Sequence, residues 1–377
     1  MPNKRIKILF IITYLELGGA QKQLLSILKT LSPHKYSLTL CAGGKGYLKS
    51  KFLNLPWVRI KLFPSLVREV NPFLDLAAFL KLFFFIKKNK FDIIHTHSPK
   101  ASILGRWAAY LAGVRNIIYT VHGWPFHKFL KPLTYYLYLF LERVTAKITK
   151  KIIVVSYADL AQALRKKICH RDKVSLIHYG VEIEKFDKVY KEREGKIPST
   201  IITISCLKPQ KGIFYFLQTA KALLKDNLQL NFIIAGDGYL RKQIEKEIKL
   251  MKLEDNVRLA GWVDDIIPLF KQASIFVLTS LWEGLPLSLI EAVISGVPVV
   301  VTNTQGLLDI VDYGKQGIVV NAGNPIETER ACREILKDYQ RWSRIIRANR
   351  DRLDLSYWSD KRMVKEVENI MGSDLEM

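Results

Sequence analysis

Residues 274–301 read SIFVLTSLWEGLPLSLIEAVISGVPVVV, and this stretch decides the fold. An apolar strand pattern, Ser274–Ser280, precedes a Gly/Pro turn, a helical segment and a second apolar strand, Val297–Val301. Strands that alternate with helices predict a parallel sheet with helices on both faces. Two carboxylates, Glu283 in the turn and Glu291 on the helix, therefore lie near the sheet edge where ligands of such folds bind.

A pair of glutamates at this spacing has an ordinary alternative explanation. Glutamate is common on protein surfaces, so such a pair usually marks a capped helix with solvated side chains. The turn Gly284-Leu285-Pro286 and the flanking strands favour a binding site instead. Helix N-termini offer free N–H groups at that edge. Carboxylates there can accept hydrogen bonds from hydroxyl-rich ligands such as ribose and hexose.

The same alternation of strand and helix patterns runs through all 377 residues, which are too many for one ordinary core. The fold class is therefore α/β, and we expect two doubly wound, Rossmann-like domains that face each other across a cleft. The polar segment Asp187–Pro198 marks the boundary, with domains at residues 1–187 and 188–352. Glu327–Ile345 is predicted as one helix. The segment of about residues 353–377 has a helical pattern and is expected to return to the first domain.

The excess of positive over negative charge lies almost wholly in the first half of the chain. The net charge is +23, and residues 1–190 hold 32 Lys+Arg against 10 Asp+Glu, a net charge of +22. A basic excess of this kind suits nucleic acid, an anionic membrane or a polyanionic substrate. No nucleic-acid-binding motif is present, so we expect no nucleic-acid partner.

Two apolar runs in the basic half, Phe73–Ile86 and Phe129–Leu141, mix aromatic residues with lysines. Each is shorter and more interrupted than the about 20 apolar residues that span a bilayer. Apolar aromatics rimmed by lysine suit docking on an anionic membrane surface. The alternative is a pair of core helices whose lysine side chains extend to solvent. We expect membrane docking.

The expected compartment is the cytoplasm. The basic N-terminus precedes the short apolar run Ile8–Ile12 without a signal-peptide cleavage site, so this run is predicted to be the first buried strand. The four cysteines are widely spaced and form no C-x-x-C, as expected of reduced thiols. We expect a peripheral protein on the inner face of the cell membrane.

Several loops at predicted strand ends carry candidate site residues in the first half. Gly18 and Gly19 follow the first strand and open a helix, where glycines let backbone N–H groups approach a phosphate. His122 stands at another strand end, where a ligand-facing or a structural histidine is equally expected. His95 and His97 resemble a metal pair, but no third ligand has matching spacing, so ordinary strand residues are favoured.

The second half adds two strand–turn–helix junctions. Lys208 and Lys211 follow a strand and are placed to neutralise a diphosphate, and the turn at Gly238 is open enough to admit a flat base. Ordinary βα loops are the alternative at each junction. No D-x-D motif is present, so no metal requirement is expected. Side chains and helix N-termini would then have to supply the positive field.

Together these motifs resemble the retaining GT-B glycosyltransferases of family 4 (glycosyl transferases group 1), of the type that builds surface polysaccharides. The resemblance runs along nearly the whole chain in order, and its specific part is Glu283–Glu291 with its Gly-Leu-Pro turn. The remaining motifs are Gly18-Gly19, His122-Gly123, His178-Tyr179-Gly180-Val181, Lys211-Gly212, Gly236-Asp237-Gly238 and Gly296-Val297-Pro298.

The resemblance implies a role for each matching residue. Glu291 would bind the ribose of a nucleotide sugar, either UDP- or GDP-linked, and Glu283 would contact hydroxyls of the donor sugar. The backbone of Gly284, Leu285 and Leu287 would bind sugar hydroxyls or phosphate. Lys211 would bind the diphosphate, with Gly19 allowing the first domain to close over it. His122 would lie near the anomeric carbon and position sugar and acceptor.

Two positions depart from the family pattern. Cys206 stands where the family commonly has arginine, which removes one phosphate ligand that Lys208 is placed to replace. Asp309 stands where glutamate is more usual, and the shorter carboxylate either alters the reach to a donor hydroxyl or has no effect.

The expected function is transfer of a hexosyl unit from a nucleotide sugar to an acceptor, with retention of anomeric configuration. A lipid-linked saccharide in capsule or lipopolysaccharide synthesis is the leading acceptor. The alternatives are a nucleotide-sugar epimerase or phosphorylase of the same fold, and a basic membrane-binding protein without enzyme activity. Intact Glu283, Glu291, Lys211 and His122 argue against the last of these.

Overall fold

The computed structural model describes residues 5–193, 199–225, 229–312 and 314–372. The chain forms two compact units. The first joins the chain up to Tyr179 with the segment that starts at Asp360, and the second is Gly180–Ser359. Each unit is built on one parallel sheet with helices on its faces, which confirms the predicted α/β class.

The first unit contains seven strands and seven helices among the described residues. Its strands are β1 (Ile6–Ile12), β2 (Tyr36–Ala42), β3 (Val58–Leu62), β4 (Ile93–His97), β5 (Ile117–Val121), β6 (Lys151–Val154) and β7 (Val174–Leu176). Its helices are α1 (Gly19–Thr30), α2 (Lys49–Leu53), α3 (Pro72–Asn89), α4 (Pro99–Leu111), α5 (Pro132–Lys147), α6 (Tyr157–Arg165) and, from the end of the chain, α14 (Asp360–Gly372).

The first sheet has the strand order β3-β2-β1-β4-β5-β6-β7, and its neighbours are parallel. The order reverses between β1 and β4, because the chain extends the sheet first on one side of β1 and then on the other. Ligands of open α/β sheets bind beside the carboxyl ends of strands at such a reversal. His97 ends β4 at this edge, and His122 directly follows β5.

Helices cover both faces of the first sheet because successive strand side chains point to opposite faces. Leu9 and Ile11 of β1 share a core cluster with α3 and α4, whereas Ile8 and Phe10 share one with α1 and α14. The register pairs Ile11 with Thr96, Thr96 with Tyr119, and Tyr119 with Ile152. Tyr119 and Ile152 contribute to the cluster that includes α5, so α5 lies on the same face as α3 and α4.

A buried ion pair fastens α5 to α4. Arg106 of α4 and Glu142 of α5 lie 2.7 Å apart, and both side chains are fully buried. Arg106 also lies 4.2 Å over the ring of Tyr119 and donates a hydrogen bond to Thr149. Loss of one partner from such a pair costs about 3–5 kcal/mol, since a buried charge is left behind.

Helix α14 completes the first unit from the C-terminal end. Met363, Val364, Val367 and Met371 join the core cluster around α1. The Ser26 hydroxyl donates to Asp360 at 3.2 Å, and Glu368 accepts from Tyr36 at 2.8 Å. The chain crosses into this unit only at Asp360, so residues 353–359 belong to the second unit.

The second unit contains six strands and seven helices among the described residues. Its strands are β8 (Thr200–Ile204), β9 (Asn231–Ala235), β10 (Val257–Gly261), β11 (Ala273–Leu278), β12 (Val299–Thr302) and β13 (Gly317–Val320). Its helices are α7 (Ile183–Glu192), α8 (Ile213–Leu224), α9 (Arg241–Leu250), α10 (Ile267–Gln272), α11 (Leu287–Ile294), α12 (Pro325–Lys337) and α13 (Tyr339–Arg350).

The second sheet has the order β10-β9-β8-β11-β12-β13, and its neighbours are also parallel. Here the reversal lies between β8 and β11. The loops after these two strands contain Lys208 and Lys211 on one side and Glu283 on the other. The topology therefore brings the strongest sequence candidates to one edge of one sheet.

Two segments differ from their sequence predictions. Glu327–Ile345 is not one helix but parts of α12 and α13, because Asp338 leaves helical geometry and its side chain accepts from the Arg341 N–H. The segment Asp187–Pro198 is helical up to Glu192, since Phe186, Val189 and Tyr190 form a buried stripe. Its residues 194–198 lie outside the described residues. The two units divide in sequence at Tyr179–Gly180.

Candidate functional site

Lys211 and Glu283 form the centre of the candidate site. Lys211 ends a short 3-10 turn, Pro209–Lys211, after β8, and Glu283 lies in the loop between β11 and α11. The Lys211 Nζ donates to Glu283 Oε1 at 2.6 Å, and the Ser280 hydroxyl donates to the same oxygen at 2.6 Å. The side chains are 16% and 5% exposed, so the pair is largely removed from water.

Backbone contacts join the two loops that carry this pair. The Leu281 N–H donates to the Gln210 carbonyl at 2.8 Å, and the Thr279 hydroxyl donates to the Gly212 carbonyl at 2.9 Å. Gly212 has a φ of +59°, and a Cβ there would lie 2.1 Å from the Thr279 carbonyl oxygen. Glycine is therefore required after Lys211 for the loops to approach this closely.

The Gly-Leu-Pro turn presents backbone rather than side chains. Leu285 and Leu287 are 4% and 5% exposed, because their side chains belong to the core. Gly306, with a φ of +83°, packs so closely that a Cβ on it would lie 1.5 Å from the Gly284 carbonyl oxygen. The first N–H groups of a helix have no partner within it. The predicted backbone contacts of Gly284, Leu285 and Leu287 with a ligand stay a prediction.

Glu291 lies on α11, one turn after its start, and is 5% exposed. Neither Glu283 nor Glu291 is a solvated surface side chain, so the surface explanation for the pair is wrong. A charged group in such an environment needs hydrogen-bonding or charged partners. Donor binding by Glu291 stays a prediction.

The loop after β9 lies against the loop after β8. A Cβ on Gly236 would lie 1.9 Å from the Ser205 carbonyl oxygen, and one on Gly238 would lie 2.5 Å from that of Leu207. Close packing therefore explains why glycine stands at both positions. Base binding at Gly238 stays a prediction. Lys208 precedes the turn Pro209–Lys211, and its N–H donates to the Cys206 carbonyl at 2.9 Å. The contact of Lys208 with phosphate also stays a prediction.

The first unit brings three histidines together at the ends of β4 and β5. His97 Nδ1 and His122 Nε2 share a hydrogen bond of 2.9 Å, and His122 Nδ1 shares one with the Tyr179 hydroxyl. His95 stacks on His97 with 4.4 Å between ring centroids, and its Nε2 shares a hydrogen bond with Thr120. A third histidine therefore lies beside the His95–His97 pair, because His122 follows the neighbouring strand.

Burial keeps these three rings neutral. It lowers the pKa of His95 and of His122 to about 3, from an ordinary value of 6.5. Burial also holds the pKa of His97 well below that value, and the neighbouring histidines add to the effect. A neutral imidazole carries one N–H and one lone pair, so this group can both donate and accept hydrogen bonds.

Gly18 and Gly19 lie where the sequence placed them, at the start of α1 after β1. Gly18 has a φ of −126°, which any residue can adopt. A Cβ on it would meet only the end of the Gln21 side chain, at 2.7 Å. Local packing thus gives no strong reason for glycine at position 18. Phosphate approach at this helix start stays a prediction.

Both parts of the chain are similar to known protein families. The family described as Glycosyl transferases group 1 matches residues 183–352, and Glycosyltransferase Family 4 matches residues 17–185. The UDP-Gal:alpha-D-GlcNAc-diphosphoundecaprenol alpha-1,3-galactosyltransferase of Escherichia coli is 32% identical over 81% of this chain and 81% of its own length. The chain belongs to glycosyltransferase family 4.

Other relatives of this family 4 glycosyltransferase agree with that assignment. The capsular polysaccharide biosynthesis glycosyltransferase CapM of Staphylococcus aureus is 25% identical over 68% of this chain and 70% of its own length. The crystal structure of Anabaena Alr3699/HepE in complex with UDP-glucose is 19% identical and covers 98% of this chain and 100% of that one, with a TM-score of 0.80. This likeness supports the GT-B fold.

Two further findings concern the described part of this glycosyltransferase. Within residues 5–193, 199–225, 229–312 and 314–372, no group of three His, Cys, Asp or Glu side chains is arranged to hold a metal ion. None of the helices described there is both long and apolar enough to cross a bilayer.

Asp309 is the second position at which the sequence departs from the family pattern. It lines a cavity of about 170 Å³ whose wall includes Ile290 and Val293 of α11, and also Leu353 and Trp358. An effect of the shorter carboxylate on a donor hydroxyl stays a prediction.

Sequence reasoning missed several residues that shape the candidate site. Ser280 and Gln210 contact Glu283 or its loop, and His97 and Tyr179 contact His122. Ser280 directly ends a predicted strand, and Tyr179 lies in a motif of the family resemblance. These signals mark the positions but do not show their partners, which depend on strand order.

Proposed function

We propose that this protein transfers a hexosyl unit from a nucleotide sugar to a lipid-linked saccharide, with retention of anomeric configuration, in cell-surface polysaccharide synthesis. The observation that carries the proposal is the buried group of Lys211, Glu283 and Ser280 at the reversal of strand order. It places a cation beside a hydrogen-bond acceptor. A sugar diphosphate offers the complementary groups, namely negative phosphates and hydroxyl donors.

Each residue of the donor site has a distinct proposed role. Lys211 neutralises the diphosphate, Glu283 accepts hydrogen bonds from sugar hydroxyls, and Glu291 binds the ribose. Without ligand, Lys211 and Glu283 satisfy each other, so donor binding exchanges one ion pair for contacts with both parts of the donor. The name of the Escherichia coli relative supports a UDP-linked donor over a GDP-linked one.

The proposed reaction breaks the bond between the anomeric carbon and the diphosphate oxygen. The same carbon forms a bond to an acceptor hydroxyl oxygen, whose proton passes to the leaving diphosphate. Lys211 stabilises the charge that grows on the leaving group, which is the kind of electrostatic effect that dominates many enzymes. The Ser280 hydroxyl donates to Glu283, whose proposed role is to hold the sugar. His122 is the proposed residue that positions sugar and acceptor.

A lipid-linked acceptor fits the chemistry of the first unit. The Escherichia coli relative is named for a diphosphoundecaprenol-linked acceptor, which supports an acceptor carried by a membrane. Residues 72–147 contain 11 Lys+Arg and 3 Asp+Glu. Two of these acidic side chains, Asp75 and Glu142, are already paired with Lys100 and Arg106. The remaining charge favours an anionic surface.

Helices α3 and α5 add an apolar surface to this charge. Exposed apolar residues recur at helical spacing on both, and we call them together the α3/α5 surface. It comprises Phe73, Leu76, Leu80 and Phe84 of α3 with Leu133, Tyr136, Leu137 and Phe140 of α5, which are 43–86% exposed. Lys87 and Lys88 lie in the last turn of α3, and Lys147 lies in the last turn of α5. We propose that this surface rests on the inner face of the cell membrane, which makes the protein cytoplasmic and peripheral.

A donor screen followed by product analysis tests the proposed function. We expect one class of nucleotide sugar to raise the melting temperature of the wild type, and less so that of Lys211→Ala. Nuclear magnetic resonance of the product should show the same anomeric configuration as the donor. Inverted product would overturn retention, and a new nucleotide sugar formed without acceptor would establish an epimerase instead.

A further inference from the structure

The ring of His122 is held by partners in its own unit on both nitrogens. His97 Nδ1 lies 2.9 Å from His122 Nε2, and the Tyr179 hydroxyl bonds to His122 Nδ1. The His97 and His122 rings are nearly parallel, with 20° between their planes. This arrangement restricts both the rotation of the His122 ring and the position of its proton.

His97 is itself held rigidly. It is 1% exposed, and its ring stacks against those of His95 and Phe10 with centroid distances of 4.4 and 6.2 Å. Rotation of this ring would require its neighbours to move, which a close-packed core resists. The immobile His97 ring can therefore hold the His122 ring in one orientation through their hydrogen bond.

The direction of the hydrogen-bond chain decides which nitrogen of His122 carries the proton. In one direction Tyr179 donates to His122, which donates from Nε2 to His97, and His97 then keeps an Nε2–H. In the other direction His97 donates from Nδ1 to His122, which donates from Nδ1 to Tyr179, and His97 keeps only a lone pair on Nε2. These are the two arrangements open to neutral rings.

The surroundings of His97 Nε2 distinguish the two directions. This atom is buried and has no hydrogen-bond partner among the residues that the structure describes. Among backbone groups, a buried N–H without an acceptor is rarer than an under-satisfied acceptor, and we apply the same preference to this ring. We propose that His97 and Tyr179 are positioning residues that hold His122 as the Nδ1–H tautomer, with Nε2 as an acceptor.

The kinetic consequence rests on the proposed function, but the tautomer does not. If His122 positions sugar and acceptor, a ring that alternates between tautomers and orientations would spend part of its time in an unproductive geometry. Misplacement of a positioning group by about 1 Å can lower a rate by about 100-fold. The expected loss is in kcat, with little change in donor KM, because neither positioning residue is proposed to bind the donor.

Nuclear magnetic resonance of the free, ¹⁵N-histidine-labelled protein at pH 7 tests the tautomer directly. We expect wild-type His122 to show a protonated Nδ1 and an unprotonated Nε2. His97→Leu removes the donor, so His122 should become a mixture of tautomers. His97→Asn keeps an N–H near the position of Nδ1 and should restore the single form. Tyr179→Phe tests the other end of the chain without altering the core around His97.

His34→Gln is the control, because His34 is an exposed histidine of the same unit. It should leave the tautomer of His122 unchanged. An Nε2–H form of wild-type His122, or an unchanged tautomer in both His97→Leu and Tyr179→Phe, would overturn the inference. If the tautomer responds as expected but the wild type has no measurable transferase activity, the proposed function fails and the positioning inference stands.

Discussion

Lys211 and Glu283 are 72 residues apart in the chain, yet Nζ and Oε1 lie 2.6 Å apart in the second unit. The contact exists because β8 and β11 are neighbours in the sheet, so the loops that follow them meet at one edge. Oppositely charged side chains in a largely buried site hold each other in place until a ligand with matching groups replaces one partner. This pair is the basis of the proposed donor site.

Glu283→Gln should reduce transfer more than it reduces donor binding. The amide keeps the size of the side chain but weakens hydrogen bonds to sugar hydroxyls and leaves Lys211 without its counter-charge. We expect kcat to fall about 100-fold, in line with loss of a single preorganised electrostatic contact. Steady-state kinetics measure both parameters. Leu250→Gln, a change at an exposed residue of α9, is the control and should behave as wild type.

Lys211→Ala should act mainly on the diphosphate, raising donor KM and also lowering kcat, because Lys211 is proposed to stabilise the charge that grows on the leaving group. Lys208→Ala tests whether Lys208 replaces the arginine expected at Cys206. If it does, Lys208→Ala also raises donor KM, by about tenfold for one charged hydrogen bond. A donor KM equal to that of the wild type in Lys208→Ala would reject the replacement and leave Lys211 as the proposed phosphate contact.

The α3/α5 surface should bind vesicles that contain anionic lipid. Leu137→Asp with Phe140→Asp places two charges at positions that are 52% and 61% exposed. We expect vesicle binding to fall by about tenfold or more for each apolar side chain removed. Sedimentation with anionic and neutral vesicles at moderate salt measures it.

The control for the vesicle experiment lies in the second unit. Leu250→Asp with Ile326→Asp changes two residues that are 66% and 62% exposed and belong to different helices. These variants should sediment like the wild type. Equal loss in both pairs, or no lipid-dependent sedimentation of the wild type, would contradict the membrane proposal.

The neutral histidines of the first unit make stability depend on pH. His95 and His122 stay neutral in the folded state down to a pKa of about 3, whereas the unfolded chain binds protons at its ordinary value of 6.5. The unfolded state therefore holds more protons between these values, and stability falls as pH is lowered through that window. The slope is about 1.4 kcal/mol per pH unit for each such histidine.

Urea unfolding at several pH values between 7 and 5 measures this dependence. Glu368 is a carboxylate whose pKa is lowered from its ordinary value of 4.5, so its contribution to stability is lost only below that value. Such carboxylates therefore do not interfere between pH 7 and pH 5. His95→Gln removes one titrating ring and should give a shallower slope. A free energy of unfolding that stays constant from pH 6.5 to pH 5 would show that these rings are not buried neutral in solution.

The sequence marked candidate positions but did not show which of them contact one another. Glu283 and Lys211 were both expected to bind donor, from local turns and spacing, but their ion pair depends on the adjacency of β8 and β11. The link between His97 and His122 likewise depends on β4 and β5 being neighbours. Strand order is a property of the whole sheet, and no local motif reports it.

Some helices and strands were predicted wrongly or not at all, for local reasons. Asp338 interrupts a helical pattern because its side chain caps the next helix. A hydrogen bond from side chain to backbone of this kind competes with continuation of the preceding helix. The four-residue strand Gly317–Val320 is too short to show a periodic pattern. The first part of the charged stretch that looked like a linker, Asp187–Glu192, belongs to α7, whose buried stripe is only three residues.

Transfer to a lipid-linked acceptor is the most direct test of the central claim. The wild type, with a UDP-linked hexose and a polyprenyl-diphosphate-linked saccharide, should increase the mass of the acceptor by one hexosyl unit. One equivalent of UDP should be released for each unit transferred, and Glu283→Gln should give little of either product. If no nucleotide sugar produces a mass increase, or if Glu283→Gln produces it as fast as the wild type, the account is contradicted.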